Sequence, residues 1–324
     1  MSVKNEILHV LESNKGRNIS GQELADMLKV SRTAVWKAIS SLKDEGHLIE
    51  SSSNKGYSLS SSSDVLSSEG IRLYLNEEFK NIPITVYKAI ESTNSEAKLS
   101  AVQNAEHGTT IIAEEQTKGR GRFGRDFYSP SDSGIYMSII LKPELTIENS
   151  VLVTTAAAVA VCHAIEKFTN DLPMIKWVND IFIGDRKVCG ILTEAMTNFE
   201  SGVMDSVVVG IGINVKTKKE DFPLELRNTA GSIFNGNDDF IRNQLSAEII
   251  NNLLTICKSM KDRSFMQIYK QRSMILGEHI LYKKNNNWHE GYALDIDDCG
   301  GLVVYTGEGQ KITLNSGEVS IKKK

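Results

Sequence analysis

Residues 119–134 read Gly119-Arg120-Gly121-Arg122-Phe123-Gly124-Arg125-Asp126-Phe127-Tyr128-Ser129-Pro130-Ser131-Asp132-Ser133-Gly134. The first six residues formally match G-x-G-x-x-G, the dinucleotide fingerprint of doubly wound α/β folds. That fingerprint requires a helix to begin at its glycines. Here the turn-forming run Ser129 to Gly134 leads instead into Gly134–Leu141, an apolar, β-prone stretch that reads as a strand. What remains is a glycine-hinged loop carrying Arg120, Arg122 and Arg125, with Lys118 beside it. Glycines let backbone amides approach a ligand closely, and guanidinium forks hold carboxylate or phosphate oxygens in pairs. The loop reads as an anion cradle, against the plainer reading of a solvated basic loop.

Outward from this loop, Val- and Ile-rich strand candidates alternate with helical segments: Thr109 to Ala113, Gly134 to Leu141 and Val207 to Val215 as strands, Ser150 to Phe168 as a helix. The class is α+β. Lys176-Trp177-Val178-Asn179-Asp180-Ile181-Phe182-Ile183, the turn Gly184-Asp185-Arg186 and Lys187-Val188-Cys189-Gly190-Ile191-Leu192 predict a hairpin whose second strand presents Lys187 at its start. Read alone, Lys187 is equally an exposed turn cation and Asp180 a strand-edge cap. Cys189 is expected to be a small buried hydrophobe.

At the N-terminus, Val3, Ile7, Val10 and Leu11 share one side of a short helix ended by Gly16. A second helix starts at the capping box Ser20-Gly21-Gln22-Glu23 and uses Leu24, Met27 and Leu28 as its apolar face. Ser31 caps a third helix. Its periodicity puts Val35, Ala38, Ile39 and Leu42 inside and Thr33, Trp36, Lys37 and Ser40 outside, a polar stripe suited to a DNA major groove. His47 to Glu50 and Tyr57 to Leu59 flank Asn54-Lys55-Gly56, which predicts a two-stranded wing. The result is a winged helix-turn-helix in which Arg32, Thr33, Trp36, Lys37, Ser40 and Lys55 are the candidate DNA contacts. Charges over residues 1–62 nearly cancel, so a protein-interaction module also fits this pattern.

The whole chain has 324 residues with Lys+Arg 37 against Asp+Glu 41, a net charge of -4. A slightly acidic total argues against coating nucleic acid through bulk charge, so any DNA contact must be concentrated. The run Val151 to Ile165 is broken by polar residues and falls short of the ~18 apolar residues of a membrane span, and the first dozen residues do not resemble a signal peptide. Cys162, Cys189, Cys257 and Cys299 are far apart and form no C-x-x-C pair, which points away from a disulfide scaffold or zinc ribbon. A reduced cytoplasmic protein is expected, without a membrane partner or a resident metal. Serines around 60–68 predict a linker, and short strands after Gly277 (His279 to Lys283, Trp288 to Ile296, Leu302 to Thr306, Lys311 to Leu314) predict a small β-barrel. The expected division is 1–62, a linker at 63–82, 83–273 and 274–324.

The segments Glu91-Ser92-Thr93-Asn94, Gln116-Thr117-Lys118-Gly119-Arg120-Gly121-Arg122, Lys176-Trp177-x-Asn179-Asp180, Lys187-x-x-Gly190-Ile191-Leu192 and Gly210-Ile211-Gly212-Ile213-Asn214-Val215 occur in the order seen in biotin protein ligases. With the winged helix in front, the whole chain resembles the bifunctional type, biotin ligase and biotin-operon repressor in one. The resemblance implies a central α/β domain related to class II aminoacyl-tRNA synthetases and a C-terminal SH3-like β-barrel. It implies that biotin and ATP, the latter with Mg²⁺, give biotinyl-5′-AMP. The adenylate then acylates a lysine of a biotin carrier domain and also serves as corepressor; no permanent cofactor is involved.

By the same match Arg122 and Lys187 face the carboxylate or the adenylate phosphate, while Ser92, Thr93, Asn94, Gln116, Arg120 and Gly121 surround biotin. Arg120, Arg122, Asn179 and Asn214 face the nucleotide, and Asp180 orients or deprotonates the acceptor amine. Thr93 and Glu96 also form a capping pattern, so part of this segment equally reads as a helix start. The implied partners are the carrier domain of a biotin-dependent carboxylase, operator DNA, and a second copy when loaded with adenylate. Two departures stand out: Val178 where the family usually has Pro, which fixes φ, and Phe127 where Trp is common. A ligand-responsive repressor without transfer and a lipoate-attaching enzyme are the competing readings.

Overall fold

In a computed structural model of the chain, residues 2–52, 55–142, 150–197, 204–234, 241–284, 287–315, 317 and 319–321 are described. Asn54 of the expected wing turn, and Asn285 and Asn286 of the expected barrel turn, lie outside them. The chain divides into two compact units, Met1–Asn81 with Gly236–Glu248, and Ile82–Asn235 with Ile249–Lys324.

The first unit opens with helices α1 (Val3–Glu12), α2 (Gly21–Leu28) and α3 (Arg32–Asp44), each started by a serine hydroxyl that accepts from a first-turn N–H. Ile7, Leu11, Leu24, Val35, Ile39 and Leu42 form one apolar cluster. Met27, expected inside, is exposed, and Ala25 takes the buried place. Strands β1 (Ile49–Ser52) and β2 (Gly56–Leu59) pair antiparallel as the wing. Ile19 and Tyr57 exchange two backbone hydrogen bonds, and Gly56 (φ +93°) passes so close that a Cβ there would stand 2.1 Å from the Ile19 carbonyl oxygen.

The stretch 63–82 does not run as an open linker. It carries helix α4 (Ser68–Arg72) and buries Leu66, Ile71, Leu75 and Phe79. Asp64 Oδ2 accepts from Arg242 Nε at 2.9 Å, both side chains buried, and Ser67 N donates to Asn243 Oδ1 at 3.0 Å. Partners some 180 positions away hold this serine-rich segment, so its composition alone reads as solvent-exposed.

In the second unit β3 (Ile84–Tyr87), α5 (Thr93–Val102), β4 (Thr110–Ala113), β5 (Gly134–Leu141), α6 (Ser150–Phe168), β6 (Met174–Lys176), β7 (Asp180–Ile183), β8 (Arg186–Thr197) and β9 (Met204–Asn214) follow in chain order. They build a seven-stranded sheet in the order β3-β4-β5-β9-β8-β7-β6, antiparallel except for the β3/β4 pair. Every residue of β5 is buried, as a strand covered on both faces requires.

Side chains alternate between faces along each strand. Glu194 and Ser138 therefore share the face that meets α5 through Asn94, whereas Thr193, whose hydroxyl lies 2.8 Å from that of Thr154 on α6, points to the other. Helix α6 is longer than the apolar run read from sequence, and by length and composition it matches a membrane span. Its apolar residues, from Leu152 to Ile165, are buried against the sheet and α8 instead.

Helix α7 (Arg242–Lys258) supplies its first residues to the first unit and the rest to the second, where α8 (Phe265–Gln271) follows. Strands β10 (His279–Lys284), β11 (Asn287–Ile296), β12 (Leu302–Thr306), β13 (Lys311–Leu314) and β14 (Val319–Ile321) make one antiparallel sheet in the order β13-β12-β11-β10-β14. The last strand has no counterpart in the sequence reading.

Candidate functional site

One cavity of about 560 Å³ opens on the α5 face of the central sheet. Its floor is glycine: Gly190 on β8, Gly210 and Gly212 on β9. A Cβ on Gly212 would stand 2.5 Å from the Phe127 ring, and one on Gly210 would stand 2.0 Å from Asn94 Oδ1. The bare backbone is what lets these two side chains reach the sheet. Phe127 also meets Tyr136 edge to face, ring centroids 6.4 Å apart.

At one end Ser92, Thr93 and Asn94, all buried, begin helix α5. Ser92 is the N-cap, yet its hydroxyl makes no capping bond. The first free amide of the helix is served from a distance, because Gln116 Oε1 accepts from Thr93 N at 2.9 Å. Gln116 Nε2 in turn donates to Ser129 Oγ at 3.0 Å. Helix capping therefore does not use the Ser92 hydroxyl, and the Thr93–Glu96 pattern is not a side-chain cap: Glu96 accepts from Tyr87 Oη at 3.3 Å.

The other end is cationic. The loop after Gly119 folds back on itself, with Phe127 N donating to Gly119 O and Gly121 N to Arg125 O. A single 3-10 turn, Arg122–Gly124, turns Arg122 inward. Arg122 Nη1 donates to Asn179 Oδ1 at 2.9 Å, and its guanidinium lies 4.9 Å from the Phe123 ring centre. Asn179 Nδ2 donates to Ile191 O at 2.8 Å, which locks the amide's orientation. Arg120 lines the cavity and is exposed. Lys118 stands outside it, paired with Glu91 at 2.7 Å.

Lys187 reaches this end through an irregularity that the sequence does not announce. In the register of β7 and β8, Asp180 pairs with Gly190 but Phe182 pairs with Lys187, so one extra residue is accommodated on β8. Asp180 and Phe182 share a face, and the bulge returns Lys187 to the face of Gly190. Lys187 Nζ consequently lies 2.7 Å from Asp180 Oδ1. Cys189 is fully buried and burial pushes its thiol well above the ordinary range, in keeping with a packing role. Asn214, in the cavity lining, donates through Nδ2 to Gly231 O at 3.0 Å; outside the lining, Val178 O accepts from the buried Tyr269 hydroxyl at 2.9 Å.

The cavity lining thus brings together Ser92, Thr93, Asn94, Gln116, Arg120, Gly121, Arg122, Asn179, Asp180, Lys187 and Asn214, drawn from segments spread over more than a hundred residues. The sequence reading passed over Ser138, the one serine of an otherwise apolar and aromatic strand, and Glu194, four residues beyond Gly190 on its face. Tyr128, which donates to Asp221 O at 2.9 Å, escaped it as well. On the first unit, Arg32, Thr33, Trp36, Lys37 and Lys55 are exposed and Ser40 is half-buried. Among the described residues no cluster of His, Cys, Asp and Glu has the arrangement of a metal site.

Fold and pocket define a small-molecule-binding α+β core joined to a winged helix-turn-helix and a small C-terminal β domain. Residues 86–214 match the model of the biotin/lipoate A/B protein ligase family, residues 3–58 that of an HTH domain, and residues 275–322 that of the biotin protein ligase C terminal domain. A Bacillus spizizenii protein named bifunctional ligase/repressor BirA is 35% identical over 318 residues, covering 96% of each chain, and its Bacillus subtilis namesake is 34% identical over the same span. A solved structure of biotin protein ligase from Aquifex aeolicus in complex with biotin and ATP superposes with a TM-score of 0.63 at 27% identity, covering 74% of this chain and 99% of that one. The chain belongs to the bifunctional ligase/repressor group of biotin protein ligases.

Proposed function

We propose that this protein joins biotin to ATP, transfers the biotinyl group from the resulting adenylate to a lysine of a carrier domain, and represses biotin genes by binding their operator. The observation that carries the reading is the polarity of the cavity. Neutral hydroxyls and amides line one end, and Arg122 and Lys187 stand at the other. Biotin has the same polarity, a neutral ureido ring at one end and a carboxylate at the other.

In the first step the biotin carboxylate attacks the α-phosphate of Mg-ATP and pyrophosphate leaves. Two anions must approach each other, and charge builds on the phosphoryl oxygens. Arg122, held by Asn179, and Lys187, held by Asp180, are cations fixed before substrate arrives, so little reorganisation is needed in the transition state. Ser92, Thr93, Asn94, Gln116, Arg120 and Gly121 receive biotin, with Arg122 and Lys187 at its carboxylate; Arg120, Arg122, Asn179 and Asn214 receive the nucleotide. In the second step the acceptor amine must be neutral to attack, and Asp180 orients it or takes its proton. Pyrophosphate release that requires both biotin and this protein tests the first step.

The DNA-reading role rests on α3 and the wing, residues 1–62, where exposed Arg32, Thr33, Trp36, Lys37 and Lys55 with half-buried Ser40 form the contact surface. A homodimer loaded with adenylate matches the two-fold symmetry of an operator with two half-sites. In this reading residues 83–273 are the ligase domain and 274–324 its C-terminal partner, and the protein acts in the cytoplasm.

A further inference from the structure

A polar chain behind the neutral end of the cavity sets which way its hydrogen bonds point. Lys98 Nζ donates to Glu194 Oε1 at 2.8 Å, and Asn94 Nδ2 donates to Glu194 Oε2 at 2.8 Å and more weakly to Leu192 O at 3.3 Å. The hydroxyl of Ser138, fully buried, lies 2.6 Å from Asn94 Oδ1 and 2.8 Å from Thr93 Oγ1. Asn94 and Thr93 line the cavity; among the described residues that line it, Glu194 and Lys98 do not occur.

Proton counting assigns the directions. Burial opposes the charged form of Glu194, but the hydrogen bonds from Lys98 and Asn94 outweigh it and hold the carboxyl below its usual range. A carboxylate only accepts, so the Asn94 atom facing it is the NH₂ group, and Oδ1 must face Ser138. Ser138 has one proton, and Asn94 Oδ1 has none to give, so that proton goes to Oδ1. Thr93 has one hydroxyl proton and two acceptors for it, Ser138 Oγ at 2.8 Å and Gln116 Oε1 at 3.1 Å. Gln116 Oε1 accepts from Thr93 N as well, at 2.9 Å. With the hydroxyl protons of Ser138 and Thr93 given to protein acceptors, Thr93 Oγ1 and Asn94 Oδ1, both on residues that line the cavity, are left to a ligand as acceptors.

We infer that Glu194 is a positioning residue that holds the Asn94 amide in one orientation and thereby makes this end of the cavity accept hydrogen bonds from N–H groups, selecting a ureido head over one without N–H. The inference rests on the biotin-binding reading above. Without the carboxylate, the Asn94 amide is held in this orientation only by its longer bond to Leu192 O at 3.3 Å, and the direction of the Ser138 proton is correspondingly less fixed.

Calorimetric titration of the full-length protein with biotin, and separately with Mg-ATP, tests this in Glu194→Leu, Glu194→Gln, Asn94→Ala and the two double variants. Glu194→Leu is expected to weaken biotin binding about tenfold and the isosteric Glu194→Gln about threefold, the scale of one misdirected hydrogen bond. ATP affinity is expected to be unchanged, which also reports that each variant folds. In the Asn94→Ala background neither change at 194 is expected to weaken biotin further, a result that a purely structural role does not give. Full persistence of either loss in that background, or wild-type biotin affinity in both single variants, overturns the inference. If Glu194→Leu fails to bind ATP, the cycle is read from Glu194→Gln alone. A wild-type protein that binds Mg-ATP but no biotin overturns the biotin reading itself, a different outcome from either of these.

Discussion

Asp180 and Lys187 sit on adjacent antiparallel strands with Oδ1 and Nζ 2.7 Å apart, brought to one face by the extra residue that β8 accommodates beside them. The pair has two tasks in the proposed reaction: the cation meets the charge that develops on phosphate, and the carboxylate meets the amine that attacks afterwards. Lys187→Met is expected to lower pyrophosphate release about a hundredfold, the usual size of removing one preorganised charge from a transition state. Asp180→Asn is expected to lower transfer from supplied biotinyl-adenylate by a similar factor. Full transfer in Asp180→Asn removes Asp180 from that role.

Gly212 lies where the Phe127 ring meets the sheet, with no room for a Cβ. Gly212→Val should push the ring off the floor and weaken biotin binding at least about tenfold, as overpacking in a tight site does. Calorimetric titration measures it. An unchanged biotin affinity means that the ring is not part of the binding wall.

Lys37 and Trp36 lie exposed on α3, away from the buried Val35 and Ile39. Lys37→Ala should weaken binding to DNA from upstream of biotin genes and lower the slope of log affinity against log salt by about one, as loss of one phosphate contact does. Fluorescence anisotropy at several salt concentrations measures both. The transfer of biotin to a carrier domain should be untouched.

His47 is buried in the first unit, and burial lowers its pKa to about 4; Glu45 opposes the shift, while Lys15 and Lys4 add to it. A histidine buried neutral gives stability that is complete above the unfolded value of 6.5 and lost as pH falls toward the folded value. The expected loss for this group is roughly 1.4 kcal/mol per pH unit between about 6.5 and 4. Glu12, in the same unit, has its pKa raised, first by burial, so its protonation on acidification works in the opposite direction. Thermal unfolding from pH 7 to 4 should therefore show a slope that His47→Gln flattens.

Much of the fold was legible where one local signal dominates. Gly134–Leu141 and Ser150–Phe168 are the strand and the helix that their apolar content predicts, and Ser20 and Ser31 cap the second and third helices as read. The exceptions are long-range. Residues 63–82 read as a linker because of their serines, whereas Leu66, Ile71, Leu75 and Phe79 are buried and Arg242 and Asn243 come to meet Asp64 and Ser67. The candidate site was legible as a set of motifs, whereas its geometry was not. A bulge that re-aims Lys187 leaves no mark in composition. Glu194 is tied to Asn94 across a separation of 100 positions, a pairing that no spacing rule reaches.

The most direct test is mass spectrometry of a purified biotin carrier domain after incubation with this protein, Mg-ATP and either biotin or lipoate. The account predicts one biotinyl adduct with biotin and none with lipoate. No adduct, from a protein that still binds biotin, contradicts the ligase and leaves a ligand-responsive repressor.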